Sequence, residues 1–255
     1  MSNVEKDLKV KVLVLGNSGV GKSSFTHLLC HNQANKNPGY TIGCTIDIKL
    51  HEYKPGTSEE KTFCIEIWDI GASNSHASSR FIFYNNINGI ILVHDLTNSK
   101  SLHNLPIWLN NVLKYDSTGG LTSVKVSSQN TSAGDDSAQC SIPLLMVGTK
   151  LDLVGDNRRS EVSARSKQTA VDLACSEIQL DNIETKYIAA GSGNAVKLSR
   201  FFDKAIAHAL QRRTTTSMTG QSPLIDRRGS IGSLERRRSN LGASFNRRMK
   251  TGHQD

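Results

Sequence analysis

The chain has 255 residues, of which 37% are hydrophobic, and carries a formal net charge of +8. This length accommodates one sizeable α/β domain with appendages, and the modest hydrophobic fraction indicates that part of the chain does not fold into a core. Ten basic and three acidic residues lie between positions 211 and 255, which leaves 21 basic and 20 acidic residues elsewhere and excludes a strongly basic, nucleic-acid-binding body.

The first predicted element is a buried strand from Val10 to Leu15, which leads through a glycine-rich loop into an amphipathic helix. The loop matches the pattern G-x-x-x-x-G-K-[ST] in the strand, loop and helix setting typical of phosphate-binding loops. Glycines let successive backbone N–H groups point inward around phosphates, beside the positive end of the helix dipole. We expect Lys22 to contact the β and γ phosphates and the Ser23 hydroxyl to bind Mg²⁺. The nucleotide contacts expected from the loop are Gly16, Ser18, Gly19, Val20, Gly21, Lys22, Ser23 and Ser24.

Residues 32–41 are polar and predict an exposed loop. Two runs follow in which apolar and polar residues alternate. The runs contain Ile46, Ile48 and Leu50, and then Phe63, Ile65 and Ile67. A turn containing Pro-Gly separates them, so we expect an antiparallel hairpin at the edge of a sheet. The second run ends in WDIG at residues 68–71, and a polar stretch without apolar periodicity continues to Ser79.

The rest of the chain alternates apolar runs of strand and helix type. Strands are predicted at 89–93, 144–147 and 187–190, and helices around 102–112, 162–176 and 198–210. Residues 116–141 are rich in Ser, Thr, Gly, Asp and Asn, which predicts a disordered insertion. The alternation indicates a mainly parallel sheet covered by helices on both faces, with ligands bound at the carboxyl ends of the strands.

Four motifs resemble those of Ras-superfamily small GTPases in order and approximate spacing: GNSGVGKS, TIG at 41–43, WD at 68–69 and GTKLD at 148–152. Together they look like a Rab, and the runs NGIILVHDLTN and NAVKLSRFFDK resemble the Rab-like protein 3 subfamily. The resemblance implies the α/β P-loop NTPase (Ras-like) three-layer fold, with a mostly parallel six-stranded sheet and helices on both faces. It implies a small GTPase domain at residues 1–212, and we expect a disordered, basic Ser/Arg-rich tail at 213–255.

The resemblance also implies a set of ligands for Mg²⁺ and for GTP or GDP. Thr41 would be the switch I threonine, which joins Ser23 on Mg²⁺ only while a γ-phosphate is present. Asp69 would hold the same ion through water, and residues 71–79 would form switch II.

Recognition of the base is implied at the GTKLD motif. Asp152 would accept hydrogen bonds from guanine N1 and the exocyclic amine, a pair that adenine lacks, and an unpaired carboxylate is costly. The Lys150 stem would pack over the base, and the backbone near Ala190 would meet guanine O6. The alternative for Asp152 is an N-cap of the following helix.

Three positions depart from the Rab pattern. Ser73 stands where the water-orienting glutamine is expected, so Ser73 and Lys22 form a weak catalytic set and slow hydrolysis is predicted. Ala72 replaces the glycine whose N–H meets the γ-phosphate, with less backbone freedom. Thr149 replaces the base-recognition asparagine with a single hydroxyl, so we expect weaker nucleotide binding.

The favoured function is a GTP-driven switch that binds effector or regulatory proteins, including regulators of other small GTPases, in signalling or trafficking. The alternative for the loop is a glycine-rich turn between strand and helix that binds no ligand. A homodimer is also compatible with the sequence. A phosphotransferase would need an arginine cluster, for which only Arg158 and Arg159 are candidates, and a nucleotide-bound scaffold would not hydrolyse GTP.

Features near the ends predict the location of the protein. We find no apolar signal region, no run of membrane-spanning length, and Ser rather than Gly at position 2, so we expect a cytoplasmic protein. The last of the five cysteines is Cys175, so the prenyl anchor of Rabs is not expected. The tail alternates arginine pairs with apolar residues and carries R-R-x-S at Ser230 and Ser239, so we expect either a solvated tail or reversible contact with anionic membranes.

Overall fold

The computed structural model describes residues 8–115 and 142–218, and within them six strands form one sheet. The strands are β1 (Lys9–Leu15), β2 (Cys44–Tyr53), β3 (Lys61–Ile70), β4 (Gly89–Asp95), β5 (Leu144–Thr149) and β6 (Ser176–Gln179). Their order is β2-β3-β1-β4-β5-β6, and only the β2–β3 pair is antiparallel. The predicted hairpin at the sheet edge is therefore confirmed, as is the predicted six-stranded fold class.

Helices cover both faces of this sheet. The residues of β1, β4 and β5 are therefore buried almost without interruption, as is typical of central parallel strands. The helices are α1 (Lys22–His31), α2 (Ser99–His103), α3 (Leu105–Leu113), α4 (Asp156–Asp172) and α5 (Gly193–Met218). One apolar cluster joins Phe25, Phe63 and Phe202 on the α1 and α5 face, and a second joins Leu13, Leu92 and Trp108 on the α3 face. Among the described residues, no helix combines the length and the hydropathy that a membrane span requires.

The strand predicted at 187–190 is wrong. Residues Thr185–Ile188 form a 3₁₀ turn, and the edge strand is β6, which precedes them. The signal for β6 is weak because only Ile178 of its four residues is buried. A single buried side chain does not produce the alternation on which strand prediction depends.

Two further elements differ from the sequence prediction. The helix predicted across residues 102–112 is divided at Asn104 into α2 and α3, since Pro106 in the first turn of α3 has no N–H to donate. The polar stretch after β3 contains a 3₁₀ helix, Asn74–Phe83.

Within the described residues, positions 8–115 and 142–213 belong to one compact unit. The last helix ends at Met218, six residues beyond the predicted domain end. The predicted insertion at 116–141 and nearly all of the predicted tail lie outside the described residues, so the domain boundaries stay predictions.

Candidate nucleotide site

The loop between β1 and α1 has a backbone that only glycine permits at two positions. Gly16 has φ 148° and Gly21 has φ 91°. A Cβ on Gly16 would lie 2.1 Å from the carbonyl oxygen of Val93, so the loop packs directly against β4. Gly21 is the N-cap of α1, and no side chain caps that helix. The first N–H groups of α1 therefore remain available to an anion at the positive end of the helix.

Lys22 is the buried cation of this loop. It is 7% exposed, and its Nζ donates to the carbonyl oxygen of Asn17 at 3.0 Å. Burial lowers the pKa of Lys22 to about 8, and the Asp69 carboxylate partly opposes this shift. Because an ammonium is costly to bury, an anion bound in the loop would raise this pKa again and favour the charged form.

A cleft of about 400 Å³ opens above the loop. Its lining includes the expected contacts Ser18, Gly19, Gly21, Lys22, Ser23, Ser24, Thr41, Ala72 and Lys150. Val20 is buried behind the cleft, and Gly16 supports the turn against β4. The structure thus brings the loop, the segment before β2 and the segment after β3 around one cavity.

Three oxygen-bearing side chains predicted as metal ligands converge beside Lys22. The Ser23 hydroxyl lies 2.9 Å from Thr41 Oγ1 and donates to Asp69 Oδ2 at 2.5 Å, while Thr41 Oγ1 lies 3.3 Å from the same carboxylate oxygen. Asp69 is 1% exposed, and burial raises its pKa although the bond from Ser23 opposes the shift.

Asp69 Oδ1 is buried with no hydrogen-bond partner among the described residues. A buried carboxylate oxygen without a donor is costly, and a bound cation would relieve that cost. Two hydroxyls beside one carboxylate are the hard oxygen donors that Mg²⁺ prefers. The donor set therefore fits the metal that the sequence predicts.

The GTKLD motif contains a buried residue, Thr149, and an exposed residue, Asp152. Thr149 is fully buried, and its hydroxyl lies 2.5 Å from the carbonyl oxygen of Val20 and 3.0 Å from that of His94. Thr149 therefore fastens β5 to the phosphate loop.

Lys150 Nζ lies 2.7 Å from Asp95 Oδ2. Burial raises the pKa of Asp95, but the hydrogen bonds from Lys150 and Thr97 outweigh it, and the pKa lies below its usual value.

Asp152 is exposed in the 3₁₀ turn Leu151–Leu153. The N-cap of α4 is Gly155, so the alternative prediction that Asp152 caps this helix is wrong. The Asp152 carboxylate is left facing solvent after β5, at the edge of the sheet where a base is expected.

Ala190 is not brought to this site. It lines a different cavity, of about 430 Å³, together with Leu29, Ile188 and Phe202. Its proposed role depended on the strand predicted at 187–190, which is a 3₁₀ turn instead. The residues that follow the real strand are Leu180 to Asn182, and Asn182 Nδ2 donates to the carbonyl oxygen of Gly21 at 3.1 Å.

Ser73 has a local structural role in this structure. Its side chain accepts from the backbone N–H of Ser75 and caps the 3₁₀ helix Asn74–Phe83. It does not line the cleft, whereas Ala72 does. A serine that is engaged in capping is poorly placed to orient an attacking water.

Arg80 is a functional candidate that sequence reasoning missed. It is 8% exposed, and its guanidinium donates to the carbonyl oxygens of Gly71, at 3.0 Å, and Ser73. Its Cζ lies 4.8 Å from the centre of the Trp108 ring. Arg80 therefore holds the predicted switch II backbone. It lies between a polar stretch and the apolar run Phe81-Ile82-Phe83, and no sequence motif distinguishes it.

The two predicted switch segments touch each other. The N–H of Gly71 donates to the carbonyl oxygen of Gly43 at 2.8 Å, and a Cβ on Gly71 would lie 2.5 Å from the carbonyl oxygen of Thr41. A glycine is required at position 71 for this approach. A displacement of either segment would therefore be felt by the other.

The chain is similar in sequence to known small GTPases and Rab-like proteins. A family model described as Roc, the Ras of Complex domain of DAPkinase, matches residues 11–127. The chain is 53% identical over 202 residues to Rab-like protein 3 of Bos taurus, covering 78% of this chain and 84% of that protein. It is 49% identical over 214 residues to Rab-like protein 3 of Danio rerio, covering 82% and 91%. It is also 34% identical over 153 residues to the small GTPase LIP1 of Arabidopsis thaliana, covering 57% and 42%.

Proposed function

Because this chain belongs to the Rab-like protein 3 family of Ras-like small GTPases, we propose that it is a guanine-nucleotide-dependent switch whose output is the binding of partner proteins. The observation that carries the proposal is the convergence of Ser23, Thr41 and Asp69 beside the buried ammonium of Lys22. The phosphates would lie in the loop, and Asp152 would select guanine. Ser23, Thr41 and Asp69 would hold Mg²⁺, which when bound would neutralise phosphate charge.

The mechanism is an ordering of two loops. Lys22 and Ala72 both line the cavity, and a γ-phosphate in the cleft would be met by the Lys22 ammonium and by the backbone N–H of Ala72. Ordering at Ala72 reaches Thr41 because Gly71 contacts the carbonyl oxygens at 41 and 43. Loss of the γ-phosphate removes that anchor, and both loops relax.

An exposed apolar surface adjoins these loops and supports partner binding. Large apolar side chains exposed there are Ile42, Ile46, Ile48 and Leu50 on the β2 side and Phe81 and Ile82 beyond switch II. The two groups are connected, since Ile46 lies opposite Trp68 and the Trp68 ring is 6.3 Å from that of Phe83. Apolar patches of this kind mark interaction sites, so we propose that effector or regulatory proteins, or a second copy of the chain, bind here.

Slow hydrolysis is the first testable prediction. In a single-turnover assay with γ-labelled GTP, the chain should hydrolyse more slowly than the roughly 10⁻⁴ to 10⁻³ s⁻¹ of unassisted Ras, because Ser73 cannot orient water as glutamine does. Ser73→Gln should not restore the rate, since Arg80 holds the Ser73 backbone. Lys22→Met is the control, because any GTP hydrolysis that remains in a preparation of this variant comes from a contaminating phosphatase. A rate above that of Ras would contradict this prediction, and no turnover at all would favour the scaffold alternative.

The phosphotransferase alternative is less well supported. No arginine lines the cleft among the described residues, and Arg159 is paired with Asp156 at 3.4 Å on α4. Transfer to a second substrate would need cations that surround the transferred phosphoryl group. The geometry therefore favours a switch.

We propose that the protein is cytoplasmic and that its basic tail attaches it reversibly to anionic membranes. Each basic residue near such a surface contributes about 1 kcal/mol, and phosphorylation at Ser230 and Ser239 would oppose it. Vesicles containing phosphatidylserine should retain the full chain, with less retention at high salt, and should not retain a chain that ends at Met218. Equal sedimentation of both chains would contradict the role of the tail.

A further inference from the structure

Two side chains from the carboxyl ends of neighbouring strands hold consecutive carbonyl groups of the phosphate loop. The hydroxyl of Thr149, the last residue of β5, reaches the carbonyl oxygen of Val20. Asn182, which follows β6, donates its Nδ2 to the carbonyl oxygen of Gly21 at 3.1 Å. The Gly21 carbonyl also accepts the N–H of Phe25 in the first turn of α1, at 2.9 Å. Asn182 therefore acts on the residue that joins the loop to the helix N-terminus.

The segment that carries Asn182 is fixed against the GTKLD motif. The N–H of Leu180 donates to the carbonyl oxygen of Gly148 at 2.9 Å, and the N–H of Leu151 donates to that of Leu180 at 3.4 Å. Asp181 Oδ1 accepts the N–H of Ile183 at 2.8 Å and fixes the turn. The segment that carries Asn182 is thus fixed by contacts that do not involve the phosphate loop.

The fit between Asn182 and the loop is close. Asn182 is 8% exposed, and a Cβ on Gly21 would lie 2.7 Å from Asn182 Nδ2. Its Oδ1 is buried with no hydrogen-bond partner among the described residues. An unpaired buried oxygen costs free energy that an apolar side chain would avoid. The hydrogen bond that its Nδ2 donates is therefore the contact that the amide contributes at this position.

We propose that Asn182 is a positioning residue that, together with Thr149, replaces the asparagine amide missing from position 149. A single hydroxyl proton at Thr149 serves only one of its two nearby carbonyls, Val20 or His94, and leaves the Gly21 carbonyl to Asn182. Asn182 acts through Gly21, and it holds the N-terminus of α1 where the phosphates bind. This inference rests on the proposed function, because it concerns retention of the nucleotide at that site.

The test is the release rate of fluorescently labelled GDP, measured by chase with excess unlabelled GDP. Asn182→Ala should release GDP about tenfold faster than wild type, the effect of losing one net hydrogen bond. Asn182→Cys keeps a side chain of similar size without a strong donor, so it should also accelerate release. This variant provides the test if the alanine variant folds poorly. The matched control is Asn194→Ala, which removes a 3.0 Å bond from Asn194 Nδ2 to the carbonyl oxygen of Gln179, away from the loop, and should change release less than twofold.

A second comparison separates positioning from general stability. In a Thr149→Asn background the new amide can hold the loop, so Asn182→Ala should accelerate release less than threefold. Release that is equally fast in the Asn182 and Asn194 variants overturns the inference, as does acceleration that is undiminished by Thr149→Asn. A wild-type chain that retains no guanine nucleotide contradicts both this inference and the proposed function, whereas retention with unaffected variants contradicts the inference alone.

Discussion

Replacing Lys22 by methionine is expected to weaken binding of GDP and GTP by at least about 100-fold. Charge-assisted hydrogen bonds contribute roughly 1.5 to 3 kcal/mol each, and a lysine that serves two phosphates would supply more than one. Lys22 is 7% exposed, and its Nζ donates to one backbone carbonyl, so the ammonium is positioned before the ligand arrives. Isothermal titration with GDP and GTP in excess Mg²⁺ measures the loss.

The matched control is Lys11→Met. Lys11 is also buried, at 9% exposed, but its Nζ donates to the carbonyl oxygen of Phe83 and to Asn85 and lies 3.9 Å from the centre of the Trp68 ring. Loss of that ammonium should lower the melting temperature and leave nucleotide affinity within about threefold of wild type, as expected for sites without shared partners. Wild-type affinity in Lys22→Met, or equal losses in both variants, would show that the loop does not bind phosphate as described.

Replacing Asp152 by alanine is expected to reduce the preference for GDP over ADP by at least about 100-fold, because a site built to hydrogen-bond its ligand discriminates strongly against analogues that leave it unpaired. Asp152 is exposed and does not cap α4, so its removal should not damage the fold. Asp156→Ala is the control, since it removes an exposed carboxylate four residues away at the start of the helix. Competition titrations of GDP against ADP measure the preference, and an unchanged ratio in Asp152→Ala would refute this assignment.

The parts of the site that could be predicted are those that depend on local sequence. The phosphate loop is specified by its glycines and by the strand and helix that flank it. Asp69 is the second-last residue of a strongly alternating strand, so its place at a carboxyl end of the sheet is also a local inference. Thr41 was assigned through the resemblance to small GTPases, and the structure places its hydroxyl beside Ser23 and Asp69.

The parts that could not be predicted depend on contacts between distant segments. Asn182 reaches Gly21 across 161 positions, and no local pattern distinguishes it from other asparagines. Arg80 holds the Gly71 carbonyl only because the chain after β3 folds back as a 3₁₀ helix. Ala190 was misassigned because the edge strand β6 buries only Ile178, while the more apolar run that follows resembles a strand more strongly. Edge elements and side-chain contacts between loops are the features that sequence periodicity reports least well.

The measurement that tests the central claim most directly is a calorimetric titration of the purified full chain with GDP, GTP and ATP, each with Mg²⁺ and with EDTA. We predict one site for GDP and GTP, weaker binding when EDTA removes the metal that Ser23, Thr41 and Asp69 would hold, and at least about 100-fold weaker binding of ATP. Binding of ATP as tight as that of GTP, or no binding of any nucleotide by a folded chain, would contradict the account of this site as a guanine-nucleotide switch.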